Sequence, residues 1–360
     1  MDIQNLMASM HRRSFLRLSA GAAATATMGG LGTGWANATT PFILHGEGGS
    51  WGETQQKVFV RPFAEQHKDR EFIYSSEAAS GVVLSKILLA CGKPDFSIAN
   101  INTNLGPIVE AAGCVDTLDP ALVPNLQHVA EAAKLKNAKG EDYFASSILM
   151  IMGLVWNTKL ATRPTSWEDL WKAEYKGRIG VPDFGYLGQT WLPAIARLHG
   201  GSEADVASGI DAIEELVKKN QAILIQNTDQ AMKLFESEQI VMAPFWNGRT
   251  FAMQKRGIPV AIEVVDKSVL NGDGYIGMKG MADREVAQAF INYNLDGENA
   301  LRLTEITGYP PSDTRIKLPE AYASVAVTPA DLEHLLKLDF KTLGEQREVN
   351  LRLWNERIKG

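Results

Sequence analysis

One stretch decides the fold of this chain: Ala243-Pro244-Phe245-Trp246-Asn247-Gly248-Arg249-Thr250-Phe251. The apolar run 240–243 predicts a buried strand, and Asn247-Gly248 predicts a turn into a helix that ends near Gly257. Trp246 and Arg249 would then lie at a strand's carboxyl end and a helix's amino end. In an open α/β sheet this is where ligands bind, because the crevice lies outside the strand ends and the first-turn amides face it.

A second loop, Asn271–Tyr275, places Asp273 between two glycines. Together with Trp246 and Arg249 it would supply an indole face, a guanidinium and a carboxylate. The guanidinium suits a carboxylate and the Asp suits an ammonium, so the set predicts a small amphoteric site. The competing interpretation is structural, since a Trp after an apolar strand is often core and an Arg at a helix start is usually solvated. The pattern alone leaves both open.

Length and composition indicate a large globular chain. It has 360 residues, 45% of them hydrophobic, which exceeds the size at which one core stops growing, so we expect two lobes. Beyond the N-terminus no run approaches the roughly 20 apolar residues of a membrane span, so we expect a soluble mature chain. The net charge is −6 and basic clusters are absent, which argues against nucleic acid and anionic membranes as partners.

The first 38 residues resemble an export signal. The twin-arginine pattern His11–Leu16 is followed by the mildly apolar stretch Ser19–Gly34 and the small-residue site Ala36-Asn37-Ala38. We therefore predict a twin-arginine signal peptide over residues 1–38 and a periplasmic mature chain. Its removal takes away three basic residues and one acidic residue, so the net charge becomes −8. No cysteine lies near the predicted cleavage site, so we expect no lipid anchor.

The two cysteines, Cys91 and Cys114, each follow an apolar helical stretch, with a predicted strand at 95–99 between them. Their loops could meet at one end of a sheet, so both a disulfide and two buried thiols stay open. A metal site is not expected, because no His lies at ligand spacing from either cysteine.

Periodicity predicts alternating strands and helices. Ser166 is a predicted helix N-cap with Asp169 at the third helical position. A polar turn, 100–104, follows the strand at 95–99. The apolar run 143–156 and the segment 275–278 are predicted to carry the chain between the lobes. The predicted strands are 41–45, 71–75, 95–99, 143–156, 178–181, 240–243, 260–265 and 275–278. The predicted helices include 81–90, 190–198, 206–219, 284–295 and most of 329–359.

Motifs for catalysis are missing from the sequence. The letters of Gly272–Gly277 match a dinucleotide fingerprint, but the segment leads into a strand and not a helix. There is no Gly-x-Ser-x-Gly elbow and no His-Glu-x-x-His motif, and the six histidines are scattered. We expect no cofactor and no metal. An exported hydrolase stays open as an alternative, because spatially paired carboxylates are not visible in a sequence.

The mature chain resembles bacterial solute-binding proteins of the spermidine/putrescine-binding type. The matching motifs follow one another in the family's order. They are Thr165–Trp171, Glu174–Arg178, Trp246-Asn247-Gly248, Gly257–Val260, Phe290-Ile291-Asn292 and Gly308-Tyr309-Pro310. The resemblance implies an α/β, two-lobed periplasmic-binding-protein fold of type II, with a mixed sheet in each lobe and a two-segment hinge. It also implies a monomer that closes around one small solute and delivers it to the membrane permease of an ABC transporter.

The implied lobes are residues 39–148 plus 276–325, and residues 149–275 plus 326–360. Carried over residue by residue, the resemblance implies that Trp51 is the aromatic of the first turn and Trp246 the principal aromatic wall. Asn102 and Asn104 fall where a Ser and a Tyr line the family's cleft. The remaining implied cleft residues are Asp183 and Tyr186 in an acidic turn, Asp273 as an amine ligand, and Tyr309.

Departures from the polyamine pattern point to another ligand. Arg249 stands where polyamine binders carry a small residue, and Asn271 replaces an aromatic. Two like charges about 4 Å apart cost on the order of 4 kcal/mol at an effective dielectric of 20, so Arg249 would repel a diamine. We therefore expect a zwitterion such as γ-aminobutyrate, with Arg249 on its carboxylate and Asp273 on its ammonium. Polyamine, sugar and phosphonate ligands stay open as alternatives.

Overall fold

The computed structural model describes residues 41–360, so the predicted signal peptide lies outside the described residues. The strands are β1 Phe42–Glu47, β2 Phe72–Glu77, β3 Ile98–Asn102, β4 Lys134–Lys136, β5 Asp142–Ala145, β6 Met150–Asn157, β7 Gly180–Pro182, β8 Ile223–Ile225, β9 Met242–Trp246, β10 Val260–Glu263, β11 Ser268–Asn271, β12 Asp273–Gly277 and β13 Leu335–Leu336.

The α-helices are α1 Gly49–Gln55, α2 Arg61–Gln66, α3 Ser80–Ala90, α4 Gly106–Ala111, α5 Gln189–Leu198, α6 Ala207–Lys218, α7 Thr228–Glu236, α8 Asn247–Lys255, α9 Arg284–Asn294, α10 Gly297–Thr307, α11 Pro329–Glu333 and α12 Phe340–Trp354. Short 3₁₀ turns include Thr103–Leu105 and Trp167–Trp171, and single π turns include Phe184–Gly188 and Asn355–Lys359. Within residues 41–360, no helix is long and apolar enough to cross a bilayer.

The first sheet has the order β12-β3-β1-β2. β1 runs parallel to both β2 and β3, and β12 runs antiparallel to β3. Alternate residues of β1 face the core, with Phe42 and Leu44 fully buried. This period of two is what a strand requires when one of its faces is covered. The parallel strands bring the carboxyl ends of β1 and β3 to one edge.

The second sheet is built around β6. It pairs antiparallel with β9 along one side and with β10 and β11 in succession along the other, and β13 joins β11. Most of β6 is buried, and so is all of β9. Burial on both faces explains why these strands are continuous apolar runs without alternation.

The chain passes between the sheets at two short segments. The run predicted as one strand, 143–156, is two strands, because β5 ends at Ala145 and β6 begins at Met150 in the second sheet. The return lies at Gly272, between β11 and β12. The prediction that 275–278 makes this crossing is wrong, since Tyr275–Gly277 lie within β12 and pair with β3 in the first sheet. A Cβ at position 272 would lie 2.5 Å from the Ser146 Oγ, so only glycine fits.

Strand β3 begins three residues later than the sequence predicts. The buried run continues through Ile101, so Asn100 and Asn102 belong to the strand and not to the turn after it. The register places Asn102 opposite Asp273 and Asn100 opposite Tyr275. This correction matters for the site, because it brings two amide side chains beside the Asp273 carboxylate.

Other local predictions are confirmed. Helices α5, α6 and α9 lie where periodicity placed them. Ser166 caps the short helix after it, and Asp169 completes the capping box. The question of the two cysteines is settled, because Cys91 and Cys114 form a disulfide that joins the end of α3 to the loop after α4.

Candidate functional site

The junction of β9 and α8 has the predicted form. Trp246 is the last residue of β9 and the N-cap of α8, and it is 8% exposed. Arg249 follows in the first turn of α8 and is exposed. Gly248 between them is required by close packing, since a Cβ there would lie 2.6 Å from the Tyr309 ring and 2.7 Å from the Thr307 carbonyl oxygen. Tyr309 therefore lies directly against the amino end of α8.

Arg249 lies among phenols. Its guanidinium donates a hydrogen bond to the hydroxyl of Tyr309, a buried residue whose pKa burial raises. The Tyr186 hydroxyl bonds the Thr228 hydroxyl at 2.7 Å, and burial raises the pKa of Tyr186 to about 12 although the Arg249 charge acts against the rise. Within residues 41–360, no carboxylate forms an ion pair with Arg249. The guanidinium therefore keeps donors for an anion from outside the protein.

Asp273 opens β12 and is 3% exposed. Its Oδ1 accepts hydrogen bonds from the side-chain amides of Asn100 at 2.7 Å and Gln55 at 3.2 Å. Its Oδ2 accepts from the Asn102 amide at 3.4 Å, and the Trp51 indole is a further donor to the carboxylate. Burial still dominates and raises the pKa of Asp273 to about 8. The amide cage fixes the orientation of the group without neutralising it.

A second carboxylate, Glu47, lies at the end of β1, which is separated from β12 by β3. Its negative charge contributes to the raised pKa of Asp273 and also to that of Tyr74. The Tyr74 hydroxyl donates to the Glu47 carbonyl oxygen at 2.8 Å and holds this turn in place. No ion pair involves Glu47 or Asp273 in the part of the chain that the structure describes.

Three residues near Asp273 were not predicted from the sequence as site residues: Glu47, Gln55 and Asn100. One signal for Glu47 was available, since it lies in the glycine-rich turn that follows the first predicted strand. Asn100 was assigned to a turn because the strand boundary was placed too early. Nothing in the sequence of α1 marks Gln55, whose role depends on the packing of that helix against the end of β12.

Asp183 does not carry a free carboxylate. Its Oδ1 accepts a hydrogen bond from the Trp354 indole at 3.0 Å, and its Oδ2 lies 2.8 Å from the Lys359 ammonium. Both partners come from the C-terminal helical segment, and Trp354 is fully buried. The structure thus places Asp183 at an internal contact that fixes the turn bearing Tyr186.

Residues 147–149, where the chain first passes from one sheet to the other, form hydrogen bonds towards both Asp273 and the start of α8. The Ser147 amide donates to the Asp273 carbonyl at 3.2 Å, and the Leu149 amide donates to the Pro310 carbonyl at 2.8 Å. The Asn247 side chain then donates to the Leu149 carbonyl at 3.0 Å. The start of β12, the turn that carries Tyr309 and the start of α8 are therefore fixed to one short segment.

Some buried polar atoms of the described residues lack a hydrogen-bond partner. They include the Ser147 hydroxyl and the Oδ1 atoms of Asn104 and Asn271. A buried polar atom without a partner costs about 1–3 kcal/mol. No cluster of three His, Cys, Asp or Glu side chains suited to a metal occurs within residues 41–360.

Comparison with known proteins agrees with this architecture. Residues 59–329 match the family described as bacterial extracellular solute-binding protein, so the chain belongs to that family. A putative extracellular solute-binding protein from Bordetella parapertussis has the same fold, with a TM-score of 0.78 and 20% identity, covering 89% of this chain and 99% of that one. The predicted two-lobed periplasmic-binding-protein fold and the resemblance to this class are confirmed.

Two relatives differ in what their names say they bind. The spermidine/putrescine-binding periplasmic protein 1 of Haemophilus influenzae is 28% identical over 185 residues, which is 50% of each chain. The chain therefore spans half the length of that relative. The γ-aminobutyric acid-binding protein of Pseudomonas aeruginosa is 23% identical over 327 residues, covering 86% of this chain and 89% of that one.

Proposed function

We propose that this protein is the periplasmic solute-binding component of an ABC importer and that its solute is a small zwitterion of the γ-aminobutyrate type. The solute would bind between Glu47 and Asp273 at one end and Arg249 at the other. Trp51 and Trp246 would cover its methylene groups. The protein would pass the solute unchanged to a membrane permease.

One observation carries this proposal: the site has acidic and basic groups without protein partners of the opposite kind. Glu47 and Asp273 lack a basic partner, and Arg249 lacks an acidic one, among the described residues. An ionised group that is enclosed without an opposite charge is costly unless a ligand compensates it. A molecule with an ammonium and a carboxylate is the simplest ligand that compensates both.

A polyamine is the second candidate, favoured by the relative from Haemophilus influenzae. It would need a carboxylate at the Arg249 end as well. Asp183, which the resemblance assigned to that task, is already bonded to Trp354 and Lys359. A diamine would therefore meet carboxylates at one end and the repelling Arg249 guanidinium at the other.

The arrangement of the lobes and the compartment are part of the same proposal. The first lobe would contain the sheet with β1 and β12, and the second the sheet with β6, with the boundary moved from 275/276 to Gly272. The relative from Haemophilus influenzae, which is named as periplasmic, supports a periplasmic location. The twin-arginine signal over residues 1–38 and a monomeric state remain predictions.

A thermal-shift panel tests the ligand assignment. The purified chain is heated with γ-aminobutyrate, alanine, putrescine and spermidine, each in separate samples. A ligand at 100 times its dissociation constant adds about 2.7 kcal/mol of stability, which is easily detected as a rise in Tm. We expect γ-aminobutyrate to raise Tm, and we expect alanine, whose two charges lie on one carbon, and the diamines to leave it unchanged. A rise in Tm with putrescine alone would mean that the ligand is a polyamine and not a zwitterion.

A further inference from the structure

A second cavity lies between the C-terminal helix α12 and the region around α3 and α4. Its volume is about 330 Å³, on the order of ten times the share of one water molecule in the liquid. One wall carries Leu84, Leu105 and Ile108, and α12 supplies Phe340 and Leu343 opposite. The cavity is therefore large enough for a substituent of several heavy atoms and has apolar walls for an aliphatic stem.

Neutral hydrogen-bonding groups interrupt these walls. They are the side chains of Asn104, Gln189, Thr190 and Asn350, with the Arg347 guanidinium as the one charged group. The Asn104 Oδ1 is buried and has no partner. None of the described residues that line the cavity is acidic. The cavity thus suits an amide, a hydroxyl or an anion, and it offers nothing to an ammonium group.

Two segments of the chain lead from the charged site to the cavity. Asn102 contacts the Asp273 carboxylate, and Asn104 two residues later lines the cavity. Phe184 lines the cavity as well, and Tyr186, two residues later, lies within the field of Arg249. A ligand held by its ammonium and carboxylate could therefore extend a third group in this direction.

Gly344, in α12, is a second feature that leaves this cavity unfilled. It lies inside α12, where glycine is unfavourable relative to alanine. A Cβ at this position would meet no atom within 4 Å, so packing does not require glycine. Its effect is to leave the cavity without a side chain on that side of the helix.

We propose that this cavity is an arm of the ligand site, and that the natural solute is an amino acid carrying a hydrogen-bonding group on an aliphatic stem. The inference rests on the proposed function, because the ammonium and carboxylate of the same molecule occupy the charged site. It restricts the class of solute, because a linear polyamine would place one of its ammonium groups in a cavity that has no carboxylate in its lining. The arm would discriminate among amino acids by the length and polarity of the substituent.

Calorimetric titration of the purified chain with γ-aminobutyrate and two of its derivatives, one with a methyl group and one with a carbamoylethyl group on C3, tests the inference. The three compounds share the spacing of ammonium and carboxylate, and the carbamoylethyl compound adds an amide on a two-carbon stem. We expect the carbamoylethyl compound to bind at least tenfold more tightly than the methyl compound. Gly344→Trp should fill the cavity and weaken binding of the carbamoylethyl compound at least tenfold, while the affinities of the other two compounds change by less than twofold.

Gly344→Ala is the matched control, because it changes the same backbone position without filling the cavity, and all three affinities should stay within twofold. Ile108→Phe fills the cavity from the opposite wall and should repeat the effect if Gly344→Trp unfolds α12. Equal binding of the methyl and carbamoylethyl compounds, or equal weakening of all ligands by both filling variants, would overturn the arm alone. Failure of all three compounds to bind the unaltered chain would overturn the proposed function together with it.

Discussion

The two ends of the candidate site are built in opposite ways. Asp273 is almost fully buried and accepts hydrogen bonds from amides of α1 and β3, whereas Arg249 is exposed and, among the described residues, interacts with the Tyr309 phenol. At the carboxylate end burial raises the pKa, so the carboxyl group is largely protonated in the empty protein and its ionisation is part of the cost of binding. At the guanidinium end desolvation can occur only when the solute arrives. The buried end is preorganised, and the exposed end gains strength on binding.

The largest expected effect is at the exposed end. Arg249→Ala should weaken γ-aminobutyrate binding by about 2–5 kcal/mol, because the solute carboxylate would be enclosed without a partner. Calorimetric titration measures this loss. Thermal unfolding should stay unchanged, since Arg249 is exposed and forms no ion pair among the described residues. Arg256→Ala, which removes a cation just beyond the other end of α8, is the control and should leave affinity intact. Equal affinities of Arg249→Ala and the unaltered chain would remove Arg249 from the site.

The next effect concerns protons at the buried end. The pKa of Asp273 rises from 3.8 to about 8, so in the empty protein this carboxyl group is mostly protonated at neutral pH. An ammonium requires the ionised form, so binding should release a proton. Affinity should rise by up to tenfold per pH unit between about pH 6 and 8 and level off above that. Titration in buffers of different ionisation enthalpy counts the proton released. Asp273→Asn should lose both the proton release and the slope.

The raised pKa of Asp273 has the opposite effect on the stability of the empty protein: ligand affinity rises with pH, whereas the free energy of unfolding falls. Because the folded pKa lies above the ordinary value, the folded state binds more protons, and stability falls as pH rises from about 4 to 8. The slope is at most about 1.4 kcal/mol per pH unit. Urea unfolding of the unaltered chain and of Asp273→Asn across this range should differ by that slope. Parallel curves would show that Asp273 titrates normally.

The smallest effect is expected at Asp183. Lys359→Met removes its ammonium partner, which is partly exposed, so the loss in unfolding free energy should be at most about 1 kcal/mol. The affinity for γ-aminobutyrate should fall by less than about threefold, since a loss of that size corresponds to under 0.7 kcal/mol. Arg352→Met, an exposed cation of α12 without an ion pair in the described chain, is the control. A loss as large as that of Arg249→Ala would mean that Asp183 contacts the solute.

The contrast between the two ends also explains what the sequence could predict. Trp246 and Arg249 follow one apolar strand directly, so local pattern alone located them. The Asp273 cage draws on α1, β3 and β12, and its members meet only through strand register and helix packing. An error of three residues at the end of β3 was enough to miss Asn100. The partners of Asp183, Trp354 and Lys359, lie near the C-terminus, and no pattern in the sequence around Asp183 indicates these contacts.

Gly272 has a mechanical consequence. It is the residue at which the chain leaves one sheet for the other, and the next residue is Asp273. In any swing of one sheet about this pivot, atoms move in proportion to their distance from the axis. Asp273 and its amide partners lie close to this axis and would move least, so their hydrogen bonds to an ammonium would persist throughout the swing. Residues farther from the axis would move towards the rest of the solute.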